Sequence, residues 1–531
     1  MLNLLLFSCA RVGAPNGGTR DSLAPKFLGS NIDTTRLNVS RTVKELRLDF
    51  DEYVMLKDFN KNFNVSPPIK KIKKVIPSNL ANKYVLIQWE DTLQANTTYN
   101  FNFGNAIVDN NESNPLPYFN FAFSTGDKID DLFVSGTVKD AMTLIKENQT
   151  AKDNKMVVGL YKAGENLDYK QKPDYITKVD EENYFELNFL PKGEFVIIAF
   201  DDENQNSVYD AGKEKVSFLK EKITLDSTSA RGLKLKLYPS KKVVKYKESK
   251  AINGGLLMTF EGNPETVEVK SLSEDLKDFK VTHAKRSDSV NIWFDAEKSN
   301  LGGTVSKQLK LSYFTPTISD TISVSYKAVK DEFKLSNEAG NLIAPENNFV
   351  INTSLPIENL NTSSWKLESD SIAQDFTAKI SEKNPFKILV NSSFKPTKKY
   401  VLTIPKETVS SYYSSNDKSF QFQFEIDKPE NYGSFTAVIK NKPTAKFWVE
   451  LTNEKGEILY SQFTNASEVS FKNLKPATYI ARIRVDNNGN GFWDEADFAQ
   501  NIAAEDVYIF EKEINVRPLW EIKEDWELIN H

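Results

Sequence analysis

One cysteine, Cys9, and two histidines, His283 and His531, stand among 531 residues. A lone thiol excludes any internal disulfide and any thiolate cage for zinc. The two histidines have no partner spacing of a metal site or a triad, and no Gly-rich phosphate loop or Gly-x-Ser-x-Gly elbow occurs. Net charge is also small: 68 Lys and Arg against 73 Asp and Glu leave −5, with both signs interspersed. That balance gives no electrostatic footprint for nucleic acid. Beyond the first residues there is no apolar run of about 18, the length a helix needs to cross a bilayer. Convincing amphipathic helices are scarce. For catalysis this leaves carboxylates. Asp49, Asp51 and Glu52 alternate on a predicted strand, where two could form an acid/base pair, but a solvated sheet edge is the plainer reading. A glycosidase needs only two acids, drawn from anywhere in a chain, yet nothing singles out such a pair. The expectation is a protein that is not an enzyme.

What the chain does have is β pattern. Hydrophobic residues make up 40% and aromatic ones 12%, enough for several cores. Alternation recurs in Tyr99-Asn-Phe101-Asn-Phe103, Phe119-Asn-Phe121-Ala-Phe123, Leu233-Lys-Leu235-Lys-Leu237 and Phe420-Gln-Phe422-Gln-Phe424. Period two sends one set of side chains to a core and the other to water. Turn signals such as Pro67-Pro68, Asn110-Asn111, Asn300 and Gly302-Gly303 interrupt the runs at short intervals. Many short strands so punctuated predict an all-β chain of tandem β-sandwiches.

Two internal repeats set the organisation. At an offset of 301, Leu93–Tyr99 matches Phe394–Tyr400, and Phe119, Phe121 and Phe123 match Phe420, Phe422 and Phe424. At an offset of 284, Leu190, Phe195, Asp202, Asn204, Asn206 and Asp210 fall on Leu474, Tyr479, Asp486, Asn488, Asn490 and Asp494. The predicted modules are a leader and tether over 1–20, a first sandwich over 21–127 and a sandwich of a second type over 128–239. A β-sandwich of uncertain type follows over 240–330, then a repeat of the first over 331–428 and a repeat of the second over 429–531.

The start has its own logic. Met1–Phe7 is a short apolar run, Ser8 is small and Cys9 follows, leading into the Gly/Pro/Asn-rich Arg11–Thr19. This resembles a lipobox, where bacteria acylate a cysteine after cleavage. It departs from the pattern in having no Lys or Arg before a run that is itself short. Several acyl chains hold a protein to a membrane where one only visits. The alternative is a buried or incidental thiol, but an ordinary core cysteine has no reason to fall right after such a run, so Cys9 is the expected lipidation site.

Phe50-Asp51-Glu52-Tyr53-Val54, Ser66-Pro67-Pro68-Ile69, Thr97-Thr98-Tyr99, Ile107-Val108-Asp109 and Phe121-Ala-Phe123-Ser-Thr125-Gly126 resemble a bacterial Ig-like domain of the S-layer-associated type. With the Cys-led tether, the module order is similar to Ig-like-domain lipoproteins of the Bacteroidota. Gly136-Thr137-Val138, Tyr184–Leu187 and Leu190-Pro-Lys-Gly193 resemble a prealbumin-like or Cna-B-like sandwich. The resemblance implies an outer-membrane, lipid-anchored protein facing either the periplasm or the cell surface. Fold likeness alone does not supply function.

The most pointed motif is Asp486-x-Asn488-x-Asn490-Gly491-x-x-Asp494-x-x-Asp497. Calcium takes six to eight oxygens, and alternate loop positions converge on one point where a glycine permits a sharp turn. The earlier copy, Asp202, Asn204, Asn206 and Asp210, carries Ser207 at the glycine position and Lys213 at the twelfth. Both loops are candidate calcium sites; the alternative is Asn and Asp side chains satisfying their own backbone. Trp89, Trp293, Trp365 and Trp448 lie in alternating strands and read as core, whereas Trp493, Trp520 and Trp526 are either packing residues or partner anchors. The functional expectation is a protein-binding accessory subunit of an outer-membrane machine, such as one for β-barrel assembly or secretion. The alternative is a surface adhesin or glycan binder.

Overall fold

A computed structural model describes residues 21–144, 155–164, 168–329, 331–338 and 340–528. Cys9, on which the expected lipid anchor depends, lies outside them. The fold is all-β. Among the described residues the one α-helix is the four-residue Phe59–Asn62, and no helix is long and apolar enough to cross a membrane.

The described residues divide into two compact units. The first comprises 21–139, 155–210 and 214–237; the second comprises 140–144, 211–213 and 238–528. In the first unit, Phe27–Ser30, Glu45–Leu56, Asn82–Trp89 and Ile72–Ile76 form one sheet in that order, facing a second sheet of Asn64–Ser66, Thr98–Gly104 and Phe119–Ser124. Leu46, Leu48, Val85, Ile87, Phe101, Phe103 and Phe121 fill the space between them. The alternating residues point inward because successive side chains of a strand leave opposite faces. After Ile107–Asp109, Asp109 gathers the turn, its carboxylate accepting from the backbone N–H of Asn111, Glu112 and Ser113 at 2.8, 2.6 and 3.1 Å. The same unit holds a second core around Val134, Leu160, Phe185, Ile197 and Leu235. Tyr175–Lys178, Met156–Lys162, Gly193–Asp201 and Val216–Phe218 cover one side, and Tyr184–Leu190, Leu132–Asp140 and Ala230–Leu237 the other.

The second unit holds three cores. Leu256, Val290, Ile292, Leu309 and Leu311 sit between a four-stranded and a three-stranded sheet, so the least legible stretch of the sequence is also a two-sheet sandwich. Phe349, Ile351, Ile388, Leu402 and Phe424 form the next core, which also takes in Trp293 from the preceding sheets. Phe435, Phe447, Val449, Ile483 and Trp526 form the last.

The repeat offsets reappear in the registers. Phe101 lies opposite Phe121, as Leu402 lies opposite Phe422. The Tyr99 hydroxyl accepts from the Gln94 N–H at 2.9 Å, and the Tyr400 hydroxyl from the Lys395 N–H at 2.8 Å. Likewise Phe195 pairs with Ile223 where Tyr479 pairs with Ile514.

Candidate functional site

Each Asp/Asn loop leaves the end of a mostly buried strand: Gly193–Asp201 in one copy, Ala477–Val485 in the other. The first acid of each is buried and closes the turn. Asp202 accepts from the Asn206 and Ser207 N–H at 3.0 and 3.1 Å; Asp486 accepts from the Asn490 and Gly491 N–H at 3.0 Å each. The turn requires left-handed backbone at two equivalent places. Gln205 (φ 58°) and Ser207 (φ 61°) take it in one loop, Gly489 (φ 72°) and Gly491 (φ 82°) in the other. Glycine adopts this conformation freely and other residues less readily, so the second loop has the better-suited sequence.

The remaining residues knit together. Asn204 donates its side-chain amide to Asp210 at 2.5 Å, and Asn488 and Asn490 donate theirs to Asp494 at 2.5 and 2.8 Å. The Asn206 side-chain oxygen accepts from the Val208 N–H at 2.6 Å, and that of Asn490 from the Phe492 N–H at 2.8 Å.

Asp497 does not join its loop. It exchanges backbone hydrogen bonds with Ile502, and its carboxylate accepts from the Gln500 N–H at 3.2 Å. At Asp497 the chain has already turned into a small bridge of its own. A different acid takes the place. Glu505, buried, accepts from the Asn487 N–H at 2.7 Å, the Asn488 N–H at 3.2 Å and the Asp494 N–H at 2.9 Å. In the first loop Glu214 does the same, accepting from the Glu203 and Asp210 N–H at 3.0 and 2.9 Å. Since Glu203 and Asp210 correspond to Asn487 and Asp494, the two glutamates are structural equivalents that arrive from different sequence distances.

Burial raises the Glu214 carboxyl to about 7; the Asp210 and Glu203 N–H groups pull the other way, and the charges of Asp202 and Asp210 add to the rise. Burial also raises Asp202 and Glu505 against the pull of their own N–H donors. At Asp494 burial is outweighed, and hydrogen bonds from Asn488, Arg286 and Asn490 hold the carboxyl below its ordinary value. Arg286 is the cation of the second loop. Its Nη1 lies 2.7 Å from Asp494, its Nε lies 2.6 Å from Glu265, and its guanidinium sits 4.7 Å from the Phe492 ring centre.

These carboxylates, amides and backbone carbonyls are the hard oxygen donors calcium takes. Among the described residues no three His, Cys, Asp or Glu side chains converge on one point as a metal cage. The amides of Asn204 and Asn488 would have to turn for their oxygens to face a cation.

The tryptophans divide differently from the sequence expectation. Trp89, Trp293, Trp365 and Trp526 are buried, Trp520 is exposed, and Trp448 is half-buried on the outer sheet face, stacked on Phe463 with ring centres 4.4 Å apart. Trp448 is therefore not core. Its neighbour Glu450 is buried and holds two guanidinium groups: Arg482 donates at 2.9 and 2.7 Å, and Arg484 at 3.1 and 2.5 Å. Of the acids on the first module's long strand, Asp49 pairs with Arg47 at 2.8 Å and Asp51 accepts from the Lys26 N–H at 2.8 Å.

The comparisons fall on the sandwich modules. Residues 21–125 match the bacterial Ig-like domain family. No curated protein matches the chain. Among solved structures, the S-layer protein rSbsC(31-844) is 11% identical, with a TM-score of 0.15, over 93% of this chain and 67% of that one. The Bacillus anthracis TIE protein is 11% identical, with a TM-score of 0.13, over 97% and 76%. BcpA, the major pilin subunit of Bacillus cereus, is 10% identical, with a TM-score of 0.14, over 75% and 99%. Scores this low define no shared arrangement of modules.

Proposed function

We propose that this chain is a non-enzymatic accessory subunit of an outer-membrane machine for β-barrel assembly or protein secretion, anchored by lipid at Cys9. The observation that carries the reading is how the second unit joins its modules. Arg286 of the middle sandwich grips Asp494 of the last, and Lys280 pairs with Glu358 at 2.5 Å. Trp293 enters the fourth core, and Asn473 donates to the Pro345 carbonyl at 2.8 Å. Sandwiches held by side-chain contacts rather than by free linkers suit a brace that keeps a neighbour at fixed distance from a membrane.

Calcium is part of the proposal at the first loop, with Asp202, Asn204, Asn206, Asp210 and Glu214 as the residues that would hold it. Asp494 of the second loop already has Arg286 as its counter-charge. The role is to stiffen a loop in a chain without disulfides.

A second reading, a surface glycan binder, draws on one feature: an open cleft of about 460 Å³ that includes Phe463, Lys446, Asn487 and Asn488 in its lining. Glycan-array binding abolished by Phe463→Ala supports that reading over the first. Recovery of a stoichiometric barrel protein with the tagged chain from gently solubilised outer membranes supports the accessory subunit. Loss of membrane association in Cys9→Ser tests the anchor.

A further inference from the structure

We infer that Ile458–Thr464 is a docking edge that takes an extended, acidic segment of another protein as an added strand. The inference deepens the accessory-subunit reading by naming where a partner binds.

The strand pairs on one side with Phe447–Thr452 and ends its sheet. Its sequence, Ile-Leu-Tyr-Ser-Gln-Phe-Thr, has no charge, proline or glycine. Ile458, Leu459 and Phe463 are 45%, 49% and 44% exposed. Other long edges of the described sheets carry at least one charge or are mostly buried, with a single charge in Ser319–Tyr326 (Asp320) and in Tyr184–Leu190 (Glu186). Ala230–Leu237, Lys245–Ile252 and Glu521–Glu527 carry several charges each, and the uncharged Phe119–Ser124 is mostly buried. An exposed edge lacking these protections is a template for strand addition.

Charge selects the occupant. On the outer face Phe463 stacks on Trp448, and the Lys446 ammonium lies 5.7 Å from the Phe463 ring centre. Among the described residues no carboxylate lies within ion-pair distance of Lys446. Across the same face two guanidinium groups, those of Arg482 and Arg484, share the single carboxylate of Glu450. The cleft beside Phe463 leaves room for an incoming side chain next to Lys446; the carboxylate in its lining, Asp486, is buried and accepts from the Asn490 and Gly491 N–H. An added strand would draw its affinity from backbone hydrogen bonds and its specificity from alternate side chains. A carboxylate near Lys446 supplies the missing charge. The same strand of a second copy carries none, which argues for a different partner.

The test uses the full chain and two synthetic nine-residue peptides, one alternating Val and Thr with Glu, the other with each Glu replaced by Lys. Hydrogen exchange read by mass spectrometry is expected to show the acidic peptide protecting amides of 458–464. Titration is expected to show about tenfold weaker binding after Ser461→Lys or Lys446→Glu, with melting unchanged because these sites are at the surface. Lys446→Glu should in turn favour the basic peptide. Equal binding of both peptides, protection elsewhere, no protection, a concentration-dependent dimer abolished by Ser461→Lys, or a glycan ligand competing at Phe463 would each overturn the assignment. If the peptide fails while a barrel protein co-purifies equally with wild type and Ser461→Lys, the edge is wrong and the accessory reading stands. If the peptide protects the edge but no protein co-purifies, the accessory reading falls and the edge stands.

Discussion

At the scale of single residues, Glu450 and Glu214 carry the sharpest consequences. Glu450, itself buried, is the carboxylate that both Arg482 and Arg484 pair with, so removing it leaves the buried Arg482 guanidinium without its partner. Breaking such a group costs about 3–5 kcal/mol, whereas replacing all members with apolar residues is often neutral. Glu450→Ala should therefore destabilise the chain by about that much in urea unfolding, while a Glu450→Leu, Arg482→Met, Arg484→Met variant should lose far less. Glu214 predicts a pH effect in chelator. Its carboxyl is raised by burial from 4.5 to about 7 in the folded chain. Folding thus favours the protonated form, and this contribution is full below about pH 4.5 and lost as pH rises through 7. Thermal unfolding of Glu214→Gln should show a shallower loss of stability between these values than wild type does; identical slopes would contradict the burial argument. Neither glutamate of the two loops was legible in the sequence. Glu214 follows Asp210 directly in the next turn, while Glu505 returns after a longer excursion, so no fixed spacing marks the role. Arg286 was equally hidden, because its partner comes from another module.

At the scale of elements, the sequence was most readable where one sheet face is buried. The alternating Phe and Tyr runs predicted strands, and the offsets of 301 and 284 reappear as matching strand partners. Period two fixes register because a slip of one residue would turn every core side chain outward. Trp448 shows the limit of that rule. It alternates correctly but on the outer face, where Phe463 and Arg484 shelter it, and alternation alone does not say which face is the core. A close backbone approach was also invisible. A methyl group on Gly136 would stand 2.1 Å from the Leu233 carbonyl oxygen in the neighbouring strand. Gly136→Ala should push these strands apart and destabilise by about 1–3 kcal/mol, measured by denaturant unfolding. Wild-type stability in that variant would show that the strands yield without loss.

At the scale of the whole molecule, the chain is a series of sandwich modules, and within the second unit side-chain contacts join them. Calcium at the first loop predicts that chelation lowers the melting temperature, that Asp202→Ala abolishes the response, and that Asp486→Ala retains it. Equal melting with chelator and with saturating calcium would remove calcium from the account. The joint predicts that Arg286→Ser leaves each core intact yet increases protease cutting between the middle and last sandwiches of the second unit. The function proposed for this chain is to serve a membrane protein as its accessory subunit. Its most direct test is affinity purification of the tagged chain from gently solubilised outer membranes, with co-purifying proteins identified by mass spectrometry. The account predicts one barrel protein in stoichiometric amount. Recovery of the chain alone, under conditions that keep other envelope complexes intact, would contradict it.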